Sequence, residues 1–427
     1  MQRKALHYLN NWKDKQNRKP LVLRGAPQVG KTWLMTEFGH QCFADTAYIN
    51  FDGNNRMKNL FEPDYDMHKI TPDTLVILDE IQECPKALSS LKYFYEQAPQ
   101  HPIIAAGSLL GVALHKGTSF PVGKVEFLDV FPMSFLEFLS AMGEDELLAL
   151  LEKQDFGLIK TFQDKYINLL RQYYFVGGMP EVVLSFARDR DYQQARKLQK
   201  DILTAYEQDF SKYVPPVDAA RIREVWHSIP AQLSKENKKF IYGAIREGAR
   251  AKSYELALEW LQDCGLIYRV YRISKPNLPL SGYQDSNAFK LYMSDVGLLG
   301  ALSNLSPQTL LNGTQIFTEF KGALTEQYVL QTLKTLPDLP VFYWTSAARA
   351  EVDFVLQAGE HILPAEVKAE QNLKAKSLKT YCDKYNVAAA LRFSMADYKY
   401  TAPVYDIPLY MAELFQSILQ NAHLQAF

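Results

Sequence analysis

Eight consecutive residues, Gly25-Ala26-Pro27-Gln28-Val29-Gly30-Lys31-Thr32, set two glycines around a short loop and end it with a lysine beside a hydroxyl. Glycines at those places let backbone amides turn inward around an anion, and a helix beginning at the lysine adds the partial positive charge of its N-terminus. Lys31 would neutralise the β- and γ-phosphates of ATP, and Thr32 would hold Mg²⁺ through its hydroxyl. A glycine-containing turn with a chance lysine would look the same in isolation. The apolar run Leu21-Val22-Leu23 before it and the helical stretch Trp33 to Phe38 after it supply the strand–loop–helix setting that phosphate binding needs.

A second apolar run, Leu75-Val76-Ile77-Leu78, ends in Asp79-Glu80, 48 residues after Lys31. In a parallel sheet, ligands sit at the carboxyl ends of the strands, which brings these acids beside the loop. Asp79 would act on Mg²⁺, and Glu80 would orient and polarise an attacking water. Taken alone, the acids could equally cap a helix; the distance from Lys31 leaves room for two β/α units. Ser108, just past the strand Pro102 to Ala106, either contacts the γ-phosphate or caps the next turn.

Late in the chain, Glu351 to Leu356 and Ile362 to Lys368 read as two strands around Gly359-Glu360, a type II′ hairpin signal. With that loop, paired residues sum to 719, so Asp353 lies opposite Glu366, their Cβ atoms about 5 Å apart. Lys368 shares their face. Two facing carboxylates repel unless a proton or cation sits between them. A divalent metal (Mg²⁺ or Mn²⁺) held by Asp353 and Glu366 would relieve the repulsion and could bind a phosphate and a water, with Lys368 stabilising developing charge. A solvated hairpin of alternating charge and a scaffold that does not cleave remain open.

These groups need elements to hold them. Thr46 to Phe51 reads as a further strand of the first sheet and Cys84 to Glu96 as a helix between two of its strands. Phe175-Val176-Gly177-Gly178-Met179-Pro180 makes a tight turn into a helix, either a lid over the nucleotide or a plain helix-joining turn. From Lys239 to Glu247 and from Ser253 to about Asp263 the spacing predicts two helices. The period-two run Ile267 to Ile273 and the strand Phe289 to Met293 follow. That order describes a winged helix. Eight basic residues between Lys235 and Arg272 face five acids, a modest excess that would hold phosphates or accompany internal packing.

As a set, GAPQVGKT, LVILDEIQ, IIAAGSLL and Val125 to Leu139 resemble bacterial and archaeal AAA-type ATPases that carry a C-terminal domain of unknown function. The resemblance implies an α/β fold: a P-loop parallel sheet of AAA type, a helical lid, a winged helix and a C-terminal module. The D-x₁₂-E-x-K spacing of Asp353, Glu366 and Lys368 resembles the PD-(D/E)xK nuclease fold, an α/β restriction-endonuclease-like domain, in which a preceding helix often adds an acid, here Glu326. Basic residues Lys368, Lys374, Lys376, Lys379 and Lys384 would flank a nucleic-acid backbone or line a solvated helix. Expected boundaries are 1–145 for the ATPase core, 146–215 for the lid, 216–300 for the winged helix and 301–427 for the C-terminal domain.

Two departures qualify the resemblance. Some relatives place a basic residue after the lid proline, where this chain has Glu181. Ring-forming AAA proteins supply an arginine across subunits, yet none occurs between Arg56 and Arg171, leaving Lys116 or Lys124 as weak substitutes. A homo-oligomer is allowed and a ring is not required.

Composition narrows the function classes further. With 47 Lys and Arg against 48 Asp and Glu, wrapping nucleic acid by bulk charge is excluded, though local basic patches are not. The 4 cysteines lie far apart with no CxxC pairing, which speaks against a disulfide framework or a cysteine zinc site. The N-terminus lacks the apolar core of a signal peptide, and no apolar run approaches the roughly 20 residues of a membrane span. The expectation is a cytoplasmic ATPase using ATP and Mg²⁺, with DNA as partner, or a nucleotide-dependent switch that binds DNA or a protein without cleaving.

Overall fold

Strands with no polar face belong in a sheet covered on both sides. In the computed structural model, which describes residues 3–59, 71–107, 121–212, 214–235, 238–312, 318–346, 350–370 and 376–422, the apolar runs form such strands. They are β1 (Leu21–Arg24), β3 (Thr74–Asp79) and β4 (Ile103–Ala106), joined by β2 (Asp45–Asn50) and β5 (Glu126–Asp129). The five strands are all parallel, in the order β2-β3-β4-β1-β5. Leu21 and Leu23 face one side, where Leu34 and Phe38 of the helix Lys31–Cys42 cover them. Val22, Val76 and Leu78 face the other, beneath Leu88 and Leu91 of the helix Pro85–Gln97. The carboxyl ends of β1 and β3 thus lie on either side of β4.

After the sheet the chain turns helical. Ser134 and Glu137 form a reciprocal capping box at the start of the helix Phe135–Ala141. Glu137 also accepts from the Arg3 Nε (3.1 Å) and the Lys4 backbone N–H (2.8 Å), and Arg3 donates to the Val29 carbonyl at 3.2 Å. The first residues of the described chain therefore brace the back of the loop after β1. Helices Gln163–Val176, Pro180–Asp189, Tyr192–Asp209 and Pro216–Leu233 complete this layer.

The expected helix over Lys239 to Glu247 does not form. Lys239 makes an isolated antiparallel bridge to Lys290, and only a short 3₁₀ turn, Tyr242–Ala244, follows. The reason is tertiary. Phe240 stacks on Phe289 (ring centroids 5.2 Å apart), its N–H donates to the Phe289 carbonyl (2.8 Å), and the Gln232 side chain bonds both backbone groups of Ile241. Those partners require extended backbone and override helix propensity. The helix Ala251–Asp263 follows, then β6 (Ile267–Ile273) and β7 (Gln284–Met293).

The hairpin β6–β7 does not stand free as a wing. β6 pairs in parallel with β8 (Val341–Thr345), which places the hairpin at the edge of an eight-stranded mixed sheet. Its other strands are β9 (Glu351–Ala358), β10 (His361–Val367), β11 (Ala390–Ser394), β12 (Lys399–Thr401) and β13 (Val404–Pro408). The order is β12-β13-β11-β10-β9-β8-β6-β7, so one sheet runs across the boundary expected between residues 300 and 301. Among the described residues no helix is long and apolar enough to cross a membrane.

Candidate functional site

The loop after β1 is shaped by close backbone approach. Gly25 has φ +141°, and a Cβ there would lie 2.1 Å from the Val130 carbonyl oxygen, so only glycine fits. Gly30, at φ +91°, opens the helix that begins with Lys31. The Lys31 ammonium folds back over the loop and donates to the carbonyls of Gly25 and Ala26, both at 2.9 Å. Burial pulls its pKa down to about 8, against the opposing charges of Glu80 and Asp79.

Loop and strand meet at a single oxygen. Thr32 Oγ1 donates to Asp79 Oδ2 at 2.7 Å, and the Tyr48 hydroxyl donates to the same oxygen at 2.9 Å. The Glu80 N–H donates to Asp79 Oδ1 at 3.0 Å, with Glu80 itself at φ 51°. That left-handed backbone turns the Glu80 side chain out of the strand direction, where Gln82 Nε2 donates to its Oε2 at 2.5 Å. Glycine-lined loop, buried ammonium and a hydroxyl touching a carboxylate fit a nucleotide triphosphate with a divalent cation, which Thr32 and Asp79 would hold. Lys31, Thr32, Glu80 and Gln82 border a cleft of about 600 Å³.

The far wall of the cleft comes from the helical layer. Pro180 and Glu181 line it, and so do Asp209 and Lys212 at the end of the helix Tyr192–Asp209. The turn Gly177-Gly178 is buried between elements: a Cβ on Gly178 would lie 2.1 Å from the Met133 carbonyl oxygen, and its N–H donates to Asp295 Oδ2 at 2.6 Å. The Tyr206 hydroxyl donates to the Pro27 carbonyl at 2.8 Å. Gly265, between the helix Ala251–Asp263 and β6, lies so close that a Cβ would sit 3.0 Å from the Ala26 nitrogen. The phosphate loop is therefore clamped by two later segments of the chain, at Tyr206 and at Gly265.

The expected residues Lys31, Thr32, Asp79 and Glu80 come together here, joined by Tyr48, Gln82, Asp209 and Lys212, which the sequence did not point to. Tyr48 was within reach, because β2 runs beside β3 with Asn50 paired to Asp79. Asp209 and Lys212 carry no local signal. Ser108 and Lys116 lie outside the described residues, and Lys124 is paired with Glu96 at 2.9 Å.

The C-terminal hairpin has the expected register: pairs from His361–Ala358 to Ala365–Phe354 sum to 719, and Gly359 takes φ 58°. Beyond Phe354 the pairing gives way to a side-chain contact, the Val367 N–H donating to Asp353 Oδ2 at 2.8 Å. Glu366 pairs with Lys368 at 2.6 Å, while its Oε2 is buried with no hydrogen-bond partner. Glu326, on the helix Thr318–Lys334, joins them and pairs with Lys238. It also accepts from the Tyr292 hydroxyl at 3.2 Å and lies 3.8 Å from Lys290 Nζ. Lys290, fully buried on β7, pairs in addition with Glu351.

The structure thus brings Asp353, Glu366 and Lys368 together, and adds Lys238, expected in the basic stretch, and Lys290, which the sequence did not point to. Burial, then Glu326 and Glu366, raise the Asp353 pKa well above the usual carboxyl value. For Glu326 burial acts upward, but Lys238 and Lys290 outweigh it and hold the pKa low. Among the described residues no group of three or more His, Cys, Asp or Glu side chains is arranged to hold a metal ion. Lys374 lies outside the described residues, and Lys384 stands over the Trp344 ring at 5.5 Å.

Three family models match the chain. Residues 17–139 match an AAA domain, 167–309 a domain of unknown function (DUF8612) and 321–410 another (DUF4143). No curated protein matches it in sequence. Among solved structures, the Walker-type ATPase of Pyrococcus abyssi is similar at 15% identity and TM-score 0.44, over 71% of this chain and 95% of that one. The Aeropyrum pernix ORC1 protein in complex with DNA is similar at 12% identity and TM-score 0.28, over 71% and 91%. The Thermotoga maritima RuvB Holliday junction branch migration motor is similar at 14% and 0.29, over 62% and 88%.

Proposed function

From a chain that carries an ATP-hydrolysing AAA domain at residues 17–139 and a DUF4143 domain at 321–410, we propose an Mg²⁺-dependent ATPase whose nucleotide state controls attachment to DNA. The observation that carries the ATPase reading is the Thr32–Asp79 hydrogen bond at 2.7 Å, which ties the end of β3 to the loop whose Lys31 and Thr32 line the cleft with Glu80. Mg²⁺, when bound, screens the phosphate charge. Lys31 holds the β- and γ-phosphates, and the loop amides and helix N-terminus complete the cradle. Glu80 orients a water for in-line attack and takes its proton, with Gln82 fixing the carboxylate. Asp209 and Lys212 close the cleft from the same chain, which suits hydrolysis without an arginine from a neighbour.

DNA would bind through the segment after the lid. Arg246, Arg250 and Lys252 are exposed around the start of the helix Ala251–Asp263, and the other end of that helix abuts the phosphate loop at Gly265. A change at the loop therefore has a short mechanical path to the basic surface. Of the basic residues in that stretch, Arg246 is paired with Glu224 at 3.4 Å, and Lys238, Arg269 and Arg272 with Glu326, Glu255 and Asp285. The C-terminal domain is read as a scaffold that does not cleave.

Glu80→Gln should bind ATP with unchanged affinity and hydrolyse it about 10²–10⁴-fold more slowly, the range for losing a general base. Fluorescence anisotropy with duplex DNA should give different affinities with ATP, with ADP and without nucleotide. Replacing Arg246, Arg250 and Lys252 by alanine should weaken binding and flatten its salt dependence. Equal DNA affinity in all three nucleotide states would exclude the gated reading.

A further inference from the structure

Four carboxyl groups from three segments, Glu326, Glu351, Asp353 and Glu366, converge at the base of β9 and β10, and three lysines meet them. Lys368 belongs to the same strand end as Glu366. The other two arrive from far earlier in the chain: Lys238 precedes the bridge at Lys239, and Lys290 sits in β7 with its side chain completely buried. Glu326 spends its two oxygens on Lys238, Tyr292 and the approach of Lys290, Glu351 meets Lys290, and Asp353 Oδ2 accepts from the Val367 N–H. A hard divalent cation takes six or more oxygen ligands, and the oxygens it would need are largely committed to ammonium groups and a backbone amide.

We infer that Lys238 and Lys290 occupy the position of a metal ion in this cluster, making it an ammonium-filled lock between the β6–β7 hairpin and the C-terminal sheet. The balance of charge supports this. Lys238, Lys290 and Lys368 stand against Glu326, Glu351 and Glu366, and burial with its two neighbouring acids raises the pKa of Asp353. One sheet is then joined twice, by the β6–β8 backbone ladder and by these ion pairs. The lock also leaves a mark: Glu366 Oε2, buried and unpartnered, is the oxygen that a cation would claim once an ammonium was withdrawn. The inference is independent of the ATPase and DNA readings, since it concerns cation binding by the nucleotide-free chain.

The test is Mn²⁺ binding to the nucleotide-free full chain, counted by electron paramagnetic resonance. The wild type should bind no Mn²⁺ that Glu366→Gln abolishes. Lys290→Met, which keeps the side-chain volume and removes the charge, should gain a site at least tenfold tighter than anything in the wild type. Adding Glu366→Gln to that variant should remove the site. Lys238→Met, at the partly exposed rim, gives the same readout if the buried Lys290 variant fails to fold. A Glu366-dependent Mn²⁺ site in the wild type would overturn the inference, and so would folded lysine variants that gain none.

Discussion

Lys31 is held where burial and phosphate binding pull in opposite directions. Buried under the loop, its ammonium has a pKa of about 8, so a sizeable fraction is neutral just above physiological pH. Phosphate stabilises the charged form and raises the pKa in the complex. Binding must therefore take up protons in the window between the two values. ATP affinity should be flat below about pH 7 and fall through pH 8, by up to about tenfold per unit until the pKa of the complex is passed. Calorimetry at pH 8 in buffers of different ionisation enthalpy should show about half a proton taken up per ATP. Lys31→Arg, which does not titrate in this range, should show no such uptake. A wild-type affinity that stays constant from pH 7 to 9 would mean that the lysine is fully charged in the empty protein.

The elements around the loop explain what could be read in advance and what could not. Strand, loop, helix and acid-tipped strand each announce themselves within a dozen residues, because parallel strands buried on both faces are uniformly apolar and a phosphate loop needs glycine at fixed places. The helix expected over Lys239 to Glu247 failed because its competitor, the Phe240–Phe289 pairing, lies about 50 residues away in the chain. Lys290 went unremarked and Lys238 was counted toward a phosphate-binding excess for the same reason: nothing near either residue reveals Glu326. The clamp at Gly265 was equally silent. Its φ of +71° and the 3.0 Å approach to the Ala26 nitrogen make it a point of close backbone contact between the later chain and the loop. Gly265→Ala should cost about 1–3 kcal/mol through left-handed strain, and should also weaken ATP binding because the added methyl pushes on the loop. Gly143 has similar geometry, φ +78°, with nothing within 4 Å, so Gly143→Ala should share the strain and leave ATP affinity unchanged. Thermal unfolding and ATP titration of both variants separate the two effects; equal ATP affinities would remove the clamp from the mechanism.

In the molecule as a whole, the eight-stranded sheet decides which parts can move or fold apart. A division at residue 300 looks natural from the sequence, yet it severs β6 from β8, Lys290 from Glu326 and Glu351, and Asp295 from the Gln331 side chain that donates to it at 3.4 Å. Truncation there would leave the inner edge of β6 unpaired and a buried ammonium without its carboxylates, a loss that stable folding does not tolerate. The five-stranded sheet has its own ladder and its own helices on both faces, and none of its strands pairs with the second sheet. A chain ending at residue 300 should therefore keep slow amide hydrogen exchange in β1, β3 and β4 while β6 and β7 exchange as though unfolded. In the full chain, β6, β7, β8 and β9 should exchange as one cooperative unit. The measurement is hydrogen exchange followed by mass spectrometry on both chains. Protection of β6 and β7 that survives truncation would show that the hairpin is stable by itself, and would make the carboxylate–lysine cluster a contact between two independently folded parts.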